Sequence, residues 1–450
     1  NIVCWELAKA LFGLTVEQAG SVVQLITILI GSLTLLVNFV FVRRLVNRPV
    51  AFLSTMLLLG SPLFIVYSGY IMTEVPMLFF LLSGLAVYLH GLDENKKHLL
   101  ALGSSLVGVS IGVREQALFF LPLLVMLPFI RRQNLAGKGI KIFVITLFPA
   151  VTVAFIGSLF LLLLNPAAYL YSLRYWLAKV PRQNVNLAGV KVVLSYLFIN
   201  SPIAALLCIP GFISLFSRRP KHAAEGQLRN PQSAIRNLQS AIRNPAPLAP
   251  DLLAFFFFAT LVPLALLLPD GDLKLHPRYE LSLVPGVTIL AAVYVHRIFG
   301  RPGLHAALPY VVVGAASLLI VLSAAGYINT YRAKQQEMRD LSEYLLKNVP
   351  TSAAFIPGQY TPIIDYYRQI GMRPDWQMVD SGWDWSRVRL LTQVNKFIKE
   401  GREVYLIKDR NAWLALDHEF KDLKGLGEEF DFLHVDDRLQ RLQPKRTASY

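Results

Sequence analysis

Four uncharged apolar stretches, 20–42, 142–164, 194–216 and 306–328, dominate the chain. Each exceeds the roughly 20 helical residues needed to cross about 30 Å of hydrocarbon, and a soluble domain has no place to hide such runs. Shorter or interrupted runs at 50–66, 75–92, 98–113, 116–130, 252–268 and 281–297 bring the expectation to about ten transmembrane helices. Composition agrees, with 54% hydrophobic and only 16% charged residues, against about 25% charged in ordinary globular domains.

Alternation of the spans can be checked against charge, because Lys and Arg collect on the cytoplasmic side. With the N-terminus outside, the inner loops carry Arg43, Arg44 and Arg48; Lys96 and Lys97; Arg131, Arg132, Lys138 and Lys141; Arg218, Arg219 and Lys221; and Arg297 and Arg301. This pattern accounts for the formal charge of +15 without invoking nucleic acid. The outer connections are YSGYIMTE, VREQ, the segment 165–193 and PDGDLKLHPRYE, with fewer basic residues for their length.

Charged residues become frequent from Arg332 onward, which divides the chain into a membrane body, 1–330, and a soluble region, 333–450. In the latter, SAAFI, QMVD, EVYLIK and FDFLHV read as strands. The stretches TPIIDYYRQIG, SRVRLLTQVNKFIKEG and 411–424 read as helices, so a small α/β domain on the outer face is expected. Residues 229–247 hold QSAIRN twice and read as a low-complexity cytoplasmic insert. Cys4 and Cys208 stand far apart and suggest neither a disulfide framework nor a metal site.

Polar groups at the edge of hydrocarbon cost free energy, so their placement is informative. Outside the basic inner loops they gather on the outer side: Glu74, the Arg114 and Glu115 pair, and His276, Arg278, Tyr279 and Glu280. Glu74 has a structural reading, as a carboxylate on a helix dipole behind a Thr73 cap, worth about 0.3–1 kcal/mol. It has a chemical one too, because a carboxylate there can hold a hydroxyl, act as a base or help bind a metal. Arg114 either reaches to lipid phosphate from a polar turn or neutralises a substrate phosphate with its fork of donors. His276, Arg278 and Tyr279 either belong to the interfacial belt or grip an anionic leaving group.

In 165–193, Tyr169, Leu173, Trp176, Leu177 and Val180 form a helical stripe. The expected interfacial helix either seals the outer surface or lines a lipid-substrate groove. No GxxxxGK[ST], no GxGxxG after a strand and no HExxH occurs, which argues against nucleotide-driven chemistry and a zinc site of that type.

The stretch AFLSTMLLLGSPLFIVYSGYIMTEVPMLFFLLSGLAVYL, with LLALGSSLVGVSIGVREQALFFLPLLVMLPF after it, resembles the GT-C glycosyltransferases. The similarity is to the bacterial branch near protein mannosyltransferases and lipid A aminoarabinose transferases. HPRYELSLVPGVTIL resembles that family's late Arg-Tyr-Pro element, and the likeness covers roughly residues 10–330.

The resemblance implies an inverting hexosyl- or pentosyltransferase in the cell membrane. It would take sugar from a polyprenyl phosphate on the outer side and pass it to a hydroxyl of a glycolipid, glycan or protein. Glu74 matches the family's acid before a span. Arg114, His276, Arg278 and Tyr279 are assigned to the donor phosphate, with Glu115 and Trp176 as accessories. No cofactor is required by this reading, and a divalent metal is left open. The family's principal acid sits on a first outer loop, whereas only Glu6 and Glu17 stand upstream here. The expectation is therefore one further helix and that acid preceding Asn1, giving about eleven spans. Two competing readings are a flippase for a lipid-linked sugar and a non-catalytic membrane scaffold. Transporters place polar residues near the midplane and show repeats, whereas here the polar residues lie at the rim.

Overall fold

The computed structural model describes residues 16–69, 73–131, 139–164, 201–216, 281–299, 307–356, 372–379, 387–407, 427–435 and 438–445, with a few isolated positions between. The chain divides into two compact units, Asn1–Ile328 and Asn329–Tyr450.

The first unit is helical in its described residues. Its elements are α1 (Val16–Leu45), α2 (Arg48–Leu59), α3 (Pro62–Ser68), α4 (Glu74–Asp93), α5 (Lys97–Val113), a 3₁₀ turn (Glu115–Phe120), α6 (Leu121–Ile130), α7 (Gly139–Leu164), α8 (Pro202–Phe216), α9 (Val284–Phe299) and the start of α10 (Leu308–Asn348). Among the described residues, Val22–Leu45 and Glu74–Asp93 are long and apolar enough to cross a membrane. The stretch expected to span at 50–66 is two helices, α2 and α3, bent by 68°, which is the shape of a broken span or of a re-entrant loop. Pro62 opens α3 directly after Gly60 and Ser61, where a proline lacks the N–H needed to continue α2.

Large apolar side chains line the outside of this unit, among them Leu25, Leu29, Leu33 and Leu36 on α1 and Phe148, Phe155 and Leu163 on α7. In water such stripes would be prohibitive, whereas against lipid they are the favourable face.

Among the described residues, the hairpin of α4 and α5 is the most extensive helix pair. Its turn is built by Asn95, in the left-handed region at φ 52°, with the Lys96 amide donating to the Gly91 carbonyl at 2.9 Å. At this end Arg44 reaches His90 at 3.0 Å, Arg131 pairs with Asp93, and Lys96 pairs with Glu94 at 2.5 Å. That Lys96 bond, first among several causes, holds the Glu94 carboxyl below the usual range. The ends of α1, α4 and α6 and the start of α5 therefore meet at one rim.

Two glycines let the hairpin close. A Cβ on Gly103 would stand 2.6 Å from the Tyr88 nitrogen, and one on Gly84 would stand 2.7 Å from the Gly103 carbonyl oxygen. Close backbone approach of this kind is how membrane helices gain packing contacts. Gly103→Val is expected to destabilise the unit by about 1–3 kcal/mol through overpacking. Gly112→Ala, whose Cβ would meet only the Gly157 Cα at 3.9 Å, should be close to neutral. Denaturant titration of the detergent-solubilised protein checks both.

The second unit contains β1 (Ala354–Ile356), β2 (Gln377–Met378), α11 (Arg387–Lys399), β3 (Val404–Ile407), β4 (Phe430–His434) and β5 (Leu439–Pro444). The sheet order is β2-β1-β3-β5-β4. β1 runs parallel to β2 and β3, and β5 is antiparallel to β3 and β4. Successive residues of β1 and β3 face opposite sides, and both sides are covered. Phe355, Tyr405 and Ile407 pack with Leu341, Leu345 and Trp376; Ala354, Ile356, Val404 and Leu406 pack with Leu390, Val394 and Phe397. Burial raises the Tyr405 hydroxyl pKa, and Glu403, which accepts its hydrogen bond at 2.5 Å, adds to the shift. α11 ends at Gly401, φ 76°, with the Arg402 amide donating to the Phe397 carbonyl. The helix expected at 411–424 lies outside the described residues, and β5 is a strand that the sequence reading does not contain.

Candidate functional site

From Asp93 back to Glu74 the α4 helix climbs about 28 Å, and from Lys97 to Val113 α5 climbs about 24 Å. The two residues at the ends of those climbs, Glu74 and Arg114, therefore arrive at the same rim although they stand forty positions apart in the chain. There they meet. The Arg114 NH1 group donates to Glu74 Oε1 at 2.5 Å, with the two side chains 10% and 2% exposed. It also donates to Thr73 Oγ1 at 3.0 Å, while Arg114 Nε donates to Gln116 Oε1 at 3.0 Å.

Backbone structure fixes both partners. Glu74 is the first residue of α4, and the Met77 amide donates to the Thr73 carbonyl at 2.9 Å. Arg114 is extended (φ −157°, ψ 126°) between α5 and the 3₁₀ turn. Its amide donates to Ser110 and its carbonyl accepts from Ala117. At the same rim, Gln24 of α1 donates to the Gly69 carbonyl at 2.9 Å.

Two expectations change. Thr73 makes no side-chain cap on α4, because its hydroxyl is turned to Arg114. Arg114, one reading of which was a side chain reaching toward lipid phosphate, is folded inward onto Glu74 instead. A guanidinium and a carboxylate taken out of water together are costly to desolvate, and their mutual attraction offsets part of that cost.

Gln116 is 3% exposed, and the sequence reading assigned it no role. Its Nε2 is buried with no hydrogen-bond partner. Leaving such a donor unsatisfied costs about 1–3 kcal/mol. Glu115 begins the 3₁₀ turn, and its side chain lies outside the described residues. His276, Arg278, Tyr279 and Trp176 also lie outside them. Among the described residues, no three His, Cys, Asp or Glu side chains gather in a way that would hold a metal ion.

The model of the dolichyl-phosphate-mannose-protein mannosyltransferase family matches residues 5–156, the segment containing Thr73, Glu74, Arg114 and Gln116. No curated protein matches the chain. Among solved structures, the oligosaccharyltransferase of Archaeoglobus fulgidus, tethered with an acceptor peptide containing the NVT sequon, is similar at a TM-score of 0.51 and 12% identity, over 98% of this chain and 65% of that one. AglB of the same organism, in complex with an inhibitory peptide and a dolichol-phosphate, is similar at 0.50 and 12%, over 90% and 60%. ArnT from Cupriavidus metallidurans bound to undecaprenyl phosphate is similar at a TM-score of 0.48 and 14% identity, over 98% of this chain and 86% of that one. At these identities the likeness to the oligosaccharyltransferase is one of fold, that of a polytopic helical membrane protein.

Proposed function

We propose that this chain, a membrane glycosyltransferase of the GT-C superfamily, moves a hexosyl or pentosyl unit from a polyprenyl phosphate to a hydroxyl of a glycolipid, glycan or protein at the outer face of the cytoplasmic membrane. The observation that carries the reading is the buried Glu74–Arg114 pair at the rim of the α4–α5 hairpin. It lies inside the segment matched by the mannosyltransferase family. The dolichol-phosphate held by AglB supports a lipid phosphate as donor.

The transfer forms a bond from the acceptor oxygen to the anomeric carbon and breaks the bond from that carbon to the phosphate oxygen, with inversion. The acceptor proton passes to Glu74, and the polyprenyl phosphate departs with the electron pair. Arg114 stabilises the charge that builds on the phosphate. The two roles are linked. Arg114 is engaged with Glu74, and an arriving phosphate competes for the same fork of donors. Exchange of partners releases Glu74 to the acceptor hydroxyl only when the donor is in place. Arg278, His276 and Tyr279 complete the phosphate grip in this proposal, with Glu115 and Trp176 as accessories. In this proposal the chain crosses the membrane about ten times and the 333–450 region lies on the outer side.

The test compares donors. Membranes carrying the chain are incubated with an envelope acceptor extract and either a polyprenyl-phosphate sugar or the corresponding nucleotide sugar. Product from the lipid donor alone agrees with the proposal. Product from the nucleotide sugar, under conditions that block synthesis of the lipid donor, contradicts it.

A further inference from the structure

Gln116 is a buried polar side chain for which the transfer scheme above has no use. Its orientation is fixed by chemistry, because Arg114 Nε–H can only donate and the atom facing it at 3.0 Å must be the amide oxygen. The amide nitrogen is consequently turned away from the guanidinium. It is buried and has no hydrogen-bond partner. Two N–H donors are thus fixed in a buried place beside a cation, where an anionic oxygen is the best available acceptor.

The geometry points to Gln116 as a positioning and phosphate-binding residue. Its Oε1 holds the guanidinium in the orientation that presents NH1 to Glu74 and Thr73, and its Nε2 donates to a phosphate oxygen of the polyprenyl phosphate. The assignment rests on the transfer reading for the identity of the anion. A neutral amide suits the task because it orients Arg114 without supplying a second negative charge that would repel the phosphate.

The test uses the full chain in detergent micelles and measures binding of undecaprenyl phosphate and of undecaprenol, with no sugar or acceptor present. Gln116→Leu is close in size and removes both polar atoms; Gln116→Glu keeps the acceptor and replaces the donor with charge. A hydrogen bond to a charged group corresponds to roughly tenfold to hundredfold in affinity. Gln116→Leu should therefore weaken undecaprenyl phosphate binding by about that factor, and Gln116→Glu should weaken it further. Undecaprenol binding should be unchanged in both. Undecaprenyl phosphate affinity equal to that of the unaltered chain in both variants overturns the inference. So does a loss shared equally by phosphate and alcohol, which is the behaviour of a merely structural residue. The readout is independent of turnover. A chain that binds the phosphate through Gln116 and transfers no sugar upholds this inference and overturns the transfer reading.

Discussion

Replacing Glu74 by Gln is expected to lower sugar transfer by about 10²–10⁴-fold, the range a positioned general base contributes. The substitution preserves size and removes only the charge, so the rim geometry has no steric reason to change. It leaves the buried Arg114 guanidinium without the carboxylate it pairs with at 2.5 Å. Donor binding should survive and can tighten, because the phosphate no longer competes with Glu74 for the fork. The signature is thus a collapse in kcat with an unchanged or lower KM for the lipid donor. A variant with unaltered kcat removes Glu74 from the chemistry.

Arg114→Leu carries the second large effect. It removes the guanidinium that stands against Glu74, which is 1% exposed. Breaking a buried pair in this way costs about 3–5 kcal/mol. The double variant Glu74→Gln with Arg114→Leu should recover much of that loss, because both charges of the pair are then gone, yet show no transfer. Arg114→Lys separates charge from shape. It keeps the pair's net charge, loses the planar fork that holds Thr73, Glu74 and Gln116 together, and should raise the KM for the lipid donor by about tenfold or more. Stability by denaturant titration and donor KM, measured on the four chains of the cycle, give the coupling directly. Additive losses in stability would mean that the two groups do not depend on each other.

Much of this site can be read in the sequence because membranes make polar residues conspicuous. Glu74 and Arg114 stand out against apolar flanks, and the two helix lengths on either side of the DENK turn already bring them to one level. Their direct contact is less legible, since it depends on side-chain direction around each helix. Gln116 escaped because a neutral residue beside a charged pair draws less notice, although VREQ presents three polar residues together in an apolar setting.

The C-terminal strands Ala354–Ile356 and Val404–Ile407 are visible as short apolar runs because both their faces are covered. β5 is not, since Leu439 and Leu442 are three apart and Pro444 closes the segment. What makes it a strand is pairing on both sides, with β3 and β4, which no local pattern encodes. The bend between α2 and α3 was legible in GSP, yet an apolar run broken by one proline reads equally well as a kinked span.

The most direct measurement reconstitutes the full protein carrying this chain in sealed proteoliposomes with a labelled polyprenyl-phosphate sugar and an acceptor extract. It follows two quantities together: sugar appearing on the acceptor and free polyprenyl phosphate appearing in the bilayer. The account predicts that both rise one for one in the unaltered protein and that neither rises in Glu74→Gln. Movement of the intact lipid-linked sugar across the bilayer, with no release of polyprenyl phosphate, would contradict it.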